Sequence, residues 1–154
     1  MSYSTFAMGE HDASFPNDRQ YCKNHMWAMP SPTQTSLWRF GLTAYAVRLL
    51  QDVYFLDWEF DVPHSVADRQ MIGSIESKKA ESDLFAPIAG QMVTINDEVL
   101  AEPSLINAAT YDDGWMFEIQ PDEEPRLLEI EGYLHHLERA WKVAQSTIKG
   151  QANI

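Results

Sequence analysis

The chain of 154 residues is short of cysteine, of basic residues and of long apolar runs. Its single cysteine, Cys22, excludes an internal disulfide framework and a cysteine-rich zinc site. Only 11 lysine and arginine residues stand against 23 aspartate and glutamate residues, and the net charge of −12 repels the phosphate backbone of a nucleic-acid partner. No apolar run approaches the roughly 20 residues that a membrane-spanning helix needs. We therefore expect neither a nucleic-acid nor a membrane partner.

The first 18 residues contain no lysine or arginine, but they include Glu10, Asp12 and Asp18. Secretory signals begin with basic residues and mitochondrial presequences carry arginine without acids, so this segment indicates neither. We therefore expect a cytoplasmic protein. Residues 1–20 mix Ser, Gly, Pro, Asn and charged residues, and this composition predicts a flexible N-terminal extension.

Motifs of self-sufficient catalysis are also missing. The sequence has no glycine-rich phosphate loop, no dinucleotide fingerprint and no Gly-x-Ser-x-Gly nucleophile elbow. Cys22 and His25 lie three residues apart, but a semi-buried cysteine beside a structural histidine is the commoner arrangement. His135 and His136 are adjacent on a predicted helix and point about a hundred degrees apart, so they cannot chelate one metal well. The sequence therefore predicts a protein that is not an enzyme and holds no metal.

What the sequence does contain is a series of short strand signals between Tyr21 and Gln120, in a chain that is 45% hydrophobic. That hydrophobic share is enough for a sizeable core and excludes wholesale disorder. Strands are predicted at 37–40, 53–58, 71–76, 84–95 (in two pieces) and 115–119, a helix at 44–50 and one helical turn at 102–106. Many short strands separated by Pro and Gly turns predict a mainly β, antiparallel architecture.

The pattern changes after Pro125. Apolar residues then recur at spacings of three and four, which predicts an amphipathic C-terminal helix of about five turns that covers part of the sheet and ends at Gly150. That stripe consists of Leu127, Ile130, Leu134, Leu137, Trp141 and Ala144. The predicted organisation is therefore a flexible extension over 1–20, a β domain over 21–124, and a C-terminal helix and tail over 125–154.

A pair of lysines, Lys78 and Lys79, lies in the polar stretch 77–83 between two strand signals. Two strands joined by a short polar connection predict a β-hairpin, with the lysines at its tip. Adjacent lysines between acidic residues on a turn are usually a solvated loop with weak ion pairs. From these residues alone, that interpretation stays open.

The stretch from Glu76 to Gly90 resembles the lipoyl-attachment hairpin of the glycine cleavage system H protein family. Members of that family carry a Glu-Ser-Val-Lys-Ala-x-Ser-Asp-Leu-type sequence followed by a Pro and Gly turn segment. Here Lys79 and Ala80 match the family's Lys-Ala, and Lys78 replaces Val. Four further segments are similar to the family in the same order, and an ordered series is far more specific than one match. These segments are 21–27, 41–46, 96–107 and 113–116.

The resemblance implies a barrel-sandwich hybrid fold of the lipoyl/biotinyl-carrier type, with short helices, and lipoate covalently attached to Lys79. It implies a shuttle protein that transfers an aminomethyl group from glycine decarboxylase to aminomethyltransferase and is reoxidised by dihydrolipoamide dehydrogenase. A lipoate-attaching enzyme is a fourth expected partner. Glu76 and Asp83 are expected to present the hairpin to that enzyme, and solvation of the turn is an equally weighted role for both.

The chain departs from the family pattern at several points. Lys78 places a second charge beside Lys79, Met26 stands where the family usually has Glu, and the turn 62–68 lacks the family's Gly. Two alternatives therefore stay open, namely an H-like lipoate relay protein that serves other partners and an unmodified binding module of the same fold. A biotin carrier is disfavoured, because such domains place Met on both sides of the lysine.

Overall fold

The computed structural model describes the backbone of residues 2–152 and the side-chain surroundings of residues 2–146. The strands are β1 (Tyr3–Met8), β2 (His11–Pro16), β3 (Gln20–Tyr21), β4 (Met26–Pro30), β5 (Trp38–Leu42), β6 (Val53–Trp58), β7 (His64–Val66), β8 (Met71–Ser77), β9 (Glu81–Phe85), β10 (Gly90–Ile95) and β11 (Phe117–Pro121). The helices are α1 (Ala44–Leu50), α2 (Asp97–Ala101), α3 (Leu105–Ala108) and α4 (Ile130–Ala152). The predicted mainly β class is confirmed.

The strands form one six-stranded sheet in the order β3-β4-β5-β11-β10-β7, a three-stranded sheet in the order β6-β8-β9, and the separate pair β1-β2. All strand pairs are antiparallel. The two larger sheets bury apolar faces in a shared core, which includes Phe40 and Phe117 from the first sheet and Leu56, Ile72 and Ile75 from the second. Two layers around one core are the usual way for sheets to hide their apolar faces.

Helix α1 and strand β6 have the bounds that the sequence predicts. The Thr43 side chain caps the helix by accepting a hydrogen bond from the Ala46 N–H, which satisfies a backbone donor that lacks a partner within the helix. The helix ends at Gln51, whose φ of 62° lies in the left-handed region and turns the chain into β6. Residues 50–53, which we call the α1–β6 connection, are hydrogen-bonded to the turn that carries Lys78 and Lys79.

The sequence did not predict strands β3, β4 and β7 or helix α2. In β4, Met26, Trp27 and Ala28 are all buried, so the alternation of apolar and polar residues that signals a half-buried strand is missing. The helical turn predicted at 102–106 is displaced, because α3 begins only at Leu105.

The prediction of a flexible extension over residues 1–20 is wrong for residues 3–16, which form the β1-β2 hairpin. Gly9, at φ +67°, lies in the connection between the two strands. Phe15 is fully buried and meets Tyr21 and Tyr133 edge to face at centroid distances of 6.1 and 5.5 Å. The few apolar side chains of this segment suffice to fix it, because they enter a second core rather than solvent.

Helix α4 begins three residues later than the predicted apolar stripe and continues through Gly150, so that glycine does not end it. Residues 153 and 154 of the predicted tail lie outside the described residues. Tyr133 and Leu137 are fully buried in the second core, and the helix packs against β1 and β3. Just before the helix, the backbones of Leu128 and Tyr21 exchange two hydrogen bonds of 2.8 Å.

Within the part of the chain that the structure describes, none of the helices combines the length and the hydrophobicity that crossing a bilayer requires.

Replacing Phe15 with Ala should lower the free energy of unfolding by about 3–5 kcal/mol, because the lost ring leaves a cavity between two tyrosines. Tyr3→Ala, on the same hairpin but at a residue 53% exposed, is the matched control and should cost under about 1 kcal/mol. Urea unfolding followed by circular dichroism measures both. Equally small effects of the two changes would show that the hairpin does not support the fold.

Candidate functional site

The lysine turn, which we define as Lys78, Lys79 and Ala80, joins β8 to β9 at the tip of the predicted hairpin. Ser77 closes this turn. Its N–H and its hydroxyl both donate to the Ala80 carbonyl, at 2.9 and 3.0 Å, and its hydroxyl oxygen accepts from the Ala80 N–H at 3.2 Å. Ser77 is itself buried, so the hairpin ends in a rigid turn and not in a loose loop.

The backbone of the lysine turn is also attached to the connection between α1 and β6. The Lys78 N–H donates to the Asp52 carbonyl at 2.9 Å, and the Lys79 N–H donates to the Leu50 carbonyl at a longer 3.4 Å. Both lysine side chains are exposed, and neither forms an ion pair with another residue of the described part of the chain. The turn therefore combines a fixed backbone with freely accessible amines.

Carboxylates lie on the outer face of the three-stranded sheet beside this turn, together with the exposed Phe55, which pairs with Glu76. Glu76 lies directly opposite Glu81, while Ser74 lies opposite both Asp57 and Asp83. Residues that pair across antiparallel strands share a face, so the four acids, Asp57, Glu76, Glu81 and Asp83, form one surface that we call the carboxylate row.

Like charges placed directly opposite destabilise a sheet, so the Glu76–Glu81 pair costs stability. Among the described residues no lysine, arginine or histidine forms an ion pair with these acids. Sequence reasoning singled out Glu76 and Asp83 but missed Asp57 and Glu81. The hairpin register and the two-residue period of side chains could have found Glu81, whereas Asp57 belongs to a strand that is distant in sequence.

A mainly apolar cleft of about 210 Å³ opens on the side of the hairpin. Strand β9 contributes one wall, and helix α1 contributes Ala46, Leu49 and Leu50. His25 and Met26 line it from β4 and the turn before that strand. Such a cleft can receive a hydrocarbon chain that is anchored nearby.

His25 connects the cleft to helix α4. Its Nδ1 lies 2.9 Å from the Tyr133 hydroxyl, which in turn lies 2.9 Å from the Thr43 hydroxyl at the start of α1. Burial lowers the pKa of His25 to about 4, and the neighbouring His136 acts in the same direction. The imidazole is therefore neutral at pH 7, and its Nδ1 shares a hydrogen bond with the Tyr133 hydroxyl.

Cys22, His135 and His136 differ in their surroundings. Burial raises the pKa of the Cys22 thiol to about 12, so the reactive thiolate is scarce at neutral pH. His136 stacks on His25 at a centroid distance of 5.5 Å, whereas His135 lies on the exposed side of α4. Among the described residues, no group of His, Cys, Asp or Glu is arranged to hold a metal ion.

The two packed sheets and the lysine at the apex of a rigid hairpin are the features of a barrel-sandwich carrier domain. The chain belongs to the glycine cleavage H-protein family, whose family model, described as "Glycine cleavage H-protein", matches residues 19–146. The predicted family and fold are thus confirmed. Members of this family are carrier proteins, and the β1-β2 hairpin precedes the matched residues.

Individual relatives agree with this assignment. The chain is 35% identical over 127 residues to the glycine cleavage system H protein of Micrococcus luteus, covering 80% of this chain and 98% of that protein. It is 36% identical over 129 residues to the same-named protein of Pectobacterium carotovorum, covering 82% and 97%. The crystal structure of a glycine cleavage system H protein from Mycobacterium marinum superposes with a TM-score of 0.70 at 31% identity, over 80% of this chain and 99% of that one.

The lowered pKa of the buried His25 predicts that the protein loses stability in mild acid. The native pKa of about 4 lies below the ordinary value of 6.5, so the unfolded chain takes up the proton first as the pH falls. His25 should therefore contribute fully above about pH 6.5 and lose about 3 kcal/mol on acidification to pH 4.

Urea unfolding of the wild type and of His25→Asn at pH 7 and pH 4 measures this contribution, because the carboxylates titrate in both proteins. The wild type should lose about 3 kcal/mol more than the variant. His135→Asn, which removes an exposed histidine, serves as the control and should follow the wild type. Equal losses of unfolding free energy in the wild type and in His25→Asn would show that the pKa of His25 is not lowered.

Proposed function

We propose that Lys79 carries lipoate, joined as an amide to its Nζ, and that the chain is the lipoyl-carrying shuttle of a glycine cleavage system. The observation that carries this proposal is an exposed amine at the apex of a turn whose backbone is held on both sides. The lipoyl group would be held by Lys79 and would supply a dithiolane able to take up an aminomethyl group from glycine decarboxylase for aminomethyltransferase, and dihydrolipoamide dehydrogenase would reoxidise the resulting dithiol.

The chain itself would contribute the position of the amine that bears the lipoyl group. Amide formation removes the positive charge of the Lys79 amine and leaves a flexible tether on a rigid platform. Tethering raises the local concentration of the reactive group at each partner's active site. The redox chemistry belongs to the cofactor and the transfer steps to the partner enzymes, so we assign this chain no catalytic residue.

The apolar cleft supports the same proposal. It lies against β9, next to the turn that bears Lys79, and it can shelter the hydrocarbon part of the attached arm between encounters. Met26 lines this cleft where the family usually places Glu. The arm would therefore meet an apolar wall at that position and not a carboxylate.

We propose that partner enzymes recognise the hairpin through the carboxylate row. Glu76 and Asp83 would present the lysine to the lipoate-attaching enzyme, and Asp57 and Glu81 extend the same acidic face. Docking of a basic partner surface onto such a face is fast at low salt and slows as salt rises. We place this exchange in the cytoplasm, as the sequence predicts.

A second candidate is an H-like relay protein that passes lipoate to other enzymes. Two observations favour it, namely the exposed charge of Lys78 beside Lys79 and the apolar Met26 in the cleft wall. Reconstitution with cognate glycine decarboxylase and aminomethyltransferase separates the candidates. Glycine turnover supports the cleavage role, and lipoylation without turnover supports the relay.

Incubation of the purified chain with a lipoate ligase, lipoate and ATP should add one lipoyl group, detected by intact mass. Lys79→Arg should abolish the addition, because arginine keeps the charge but offers no amine for the amide. Lys78→Arg is the matched control and should be modified fully. Addition to Lys79→Arg, or none to the wild type, would contradict the assignment of Lys79.

Removing charge from the carboxylate row should slow this modification. Glu76→Gln combined with Asp83→Asn should lower kcat/KM for lipoate attachment by roughly tenfold at low ionic strength and flatten its dependence on salt. Glu123→Gln combined with Glu124→Gln removes two charges far along the chain from the hairpin and should leave the rate nearly unchanged. Equal rates for the two double variants would assign Glu76 and Asp83 to turn solvation.

A further inference from the structure

The connection between α1 and β6 is held from two opposite sides. On one side, the carbonyls of Leu50 and Asp52 accept the backbone N–H groups of Lys79 and Lys78. On the other side, the Gln51 carbonyl and the Val53 N–H meet the side chain of a single residue. The carbonyls of Leu50 and Asp52 thus face the lysine turn, while the Gln51 carbonyl and the Val53 N–H face the opposite side.

That partner is Asn107 in the short helix α3. Its Nδ2 donates to the Gln51 carbonyl at 2.7 Å, and its Oδ1 accepts from the Val53 N–H at 2.9 Å. The primary amide carries a donor and an acceptor side by side, so it pairs with the backbone on both sides of residue 52 as a neighbouring strand would. A carboxylate or an apolar side chain of the same size cannot make both bonds.

The backbone conformation of the connection needs such support. Gln51 is a non-glycine residue at φ 62° and ψ −143°, a combination that residues with a side chain rarely adopt. Conformations of this kind persist when surrounding contacts over-determine them. Here those contacts are the helix-ending bond from the Gln51 N–H to Val47 and the two bonds from Asn107.

We propose that Asn107 is a positioning residue for Lys79, which acts through the α1–β6 connection to fix where the lysine turn stands on the barrel. The effect of Asn107 on partner enzymes rests on the proposed function, whereas its effect on the position of the lysine turn does not. Because Ser77 closes the turn internally, Asn107 governs the location of the turn and not its shape.

The separate roles of Asn107 and Ser77 predict different rates of hydrogen exchange for neighbouring backbone amides. The Lys78 and Lys79 N–H groups bond to the connection, whereas the Ala80 N–H bonds to the Ser77 hydroxyl within the turn. Loosening the connection should therefore expose the first two amides to solvent exchange and leave the third protected. General destabilisation would instead speed exchange at all three.

Hydrogen exchange followed by NMR on the unmodified chain tests this directly. Asn107→Leu should speed exchange at Lys78 and Lys79 by about tenfold or more relative to Ile75 in the core, with Ala80 following Ile75. Asn107→Asp keeps the acceptor and loses the donor, so it should give a smaller change of the same pattern. Should Asn107→Leu fail to fold, Asn107→Asp and Asn107→Ser carry the test.

Asn96→Ala is the matched control. Asn96 is a buried asparagine that caps α2 and donates to the carbonyls of Asp113 and Trp115, and none of these hydrogen bonds involves the connection. Its loss should destabilise the fold without selective exchange at Lys78 and Lys79. Unchanged protection in Asn107→Leu, or equal acceleration at Ala80, would overturn the proposal.

Lipoate attachment supplies the functional readout. A displaced turn should raise the KM of the attaching enzyme for Asn107→Leu about threefold or more, with kcat within about twofold, since the lysine chemistry is unaltered. A fall in kcat with an unchanged KM would count against positioning. If the wild type accepts no lipoate, the proposed function fails, while the exchange pattern still decides the role of Asn107.

Discussion

The proposed carrier function depends on one constraint, namely that the backbone of Lys78–Ala80 is fixed while the Lys79 amine is left in water. A tether works only if its anchor stands in a reproducible place, since freedom at the anchor adds to the freedom of the arm and dilutes the reactive group at the partner site. Ser77 fixes the shape of the turn, and the Leu50 and Asp52 carbonyls fix its location. The three residues of the turn thus combine a fixed backbone with exposed lysine side chains.

The second core extends this constraint towards the rest of the chain. Tyr133 on α4 bonds both His25 and Thr43, and Thr43 starts the helix that leads into the α1–β6 connection. The N-terminal hairpin places Phe15 against the same tyrosine. Segments at both ends of the chain, the first of which lies outside the family match, therefore buttress one wall of the cleft next to the lysine.

Local signals in the sequence predicted helix α1, strand β6 and the lysine hairpin, because each has a strong pattern within one short window. The β1-β2 hairpin was missed, since its burial depends on aromatic residues more than a hundred positions away. For the same reason Asp57 escaped notice, and Asn107, the last residue of the family-like segment 96–107, received no role of its own. Each acquires its place only when distant segments meet, and single polar residues carry no periodic signal. The ordered family motifs single out Lys79 as the attachment residue, which stays a prediction, where residue patterns alone leave a solvated loop as an alternative.

The decisive measurement is peptide mapping by tandem mass spectrometry, on chain purified from its native cells grown with lipoate. We expect a lipoyl group on the Nζ of Lys79 in most molecules, with Lys78 unmodified. Peptides spanning residues 76–85 that carry no adduct, or carry it on Lys78, would show that Lys79 is not the attachment residue.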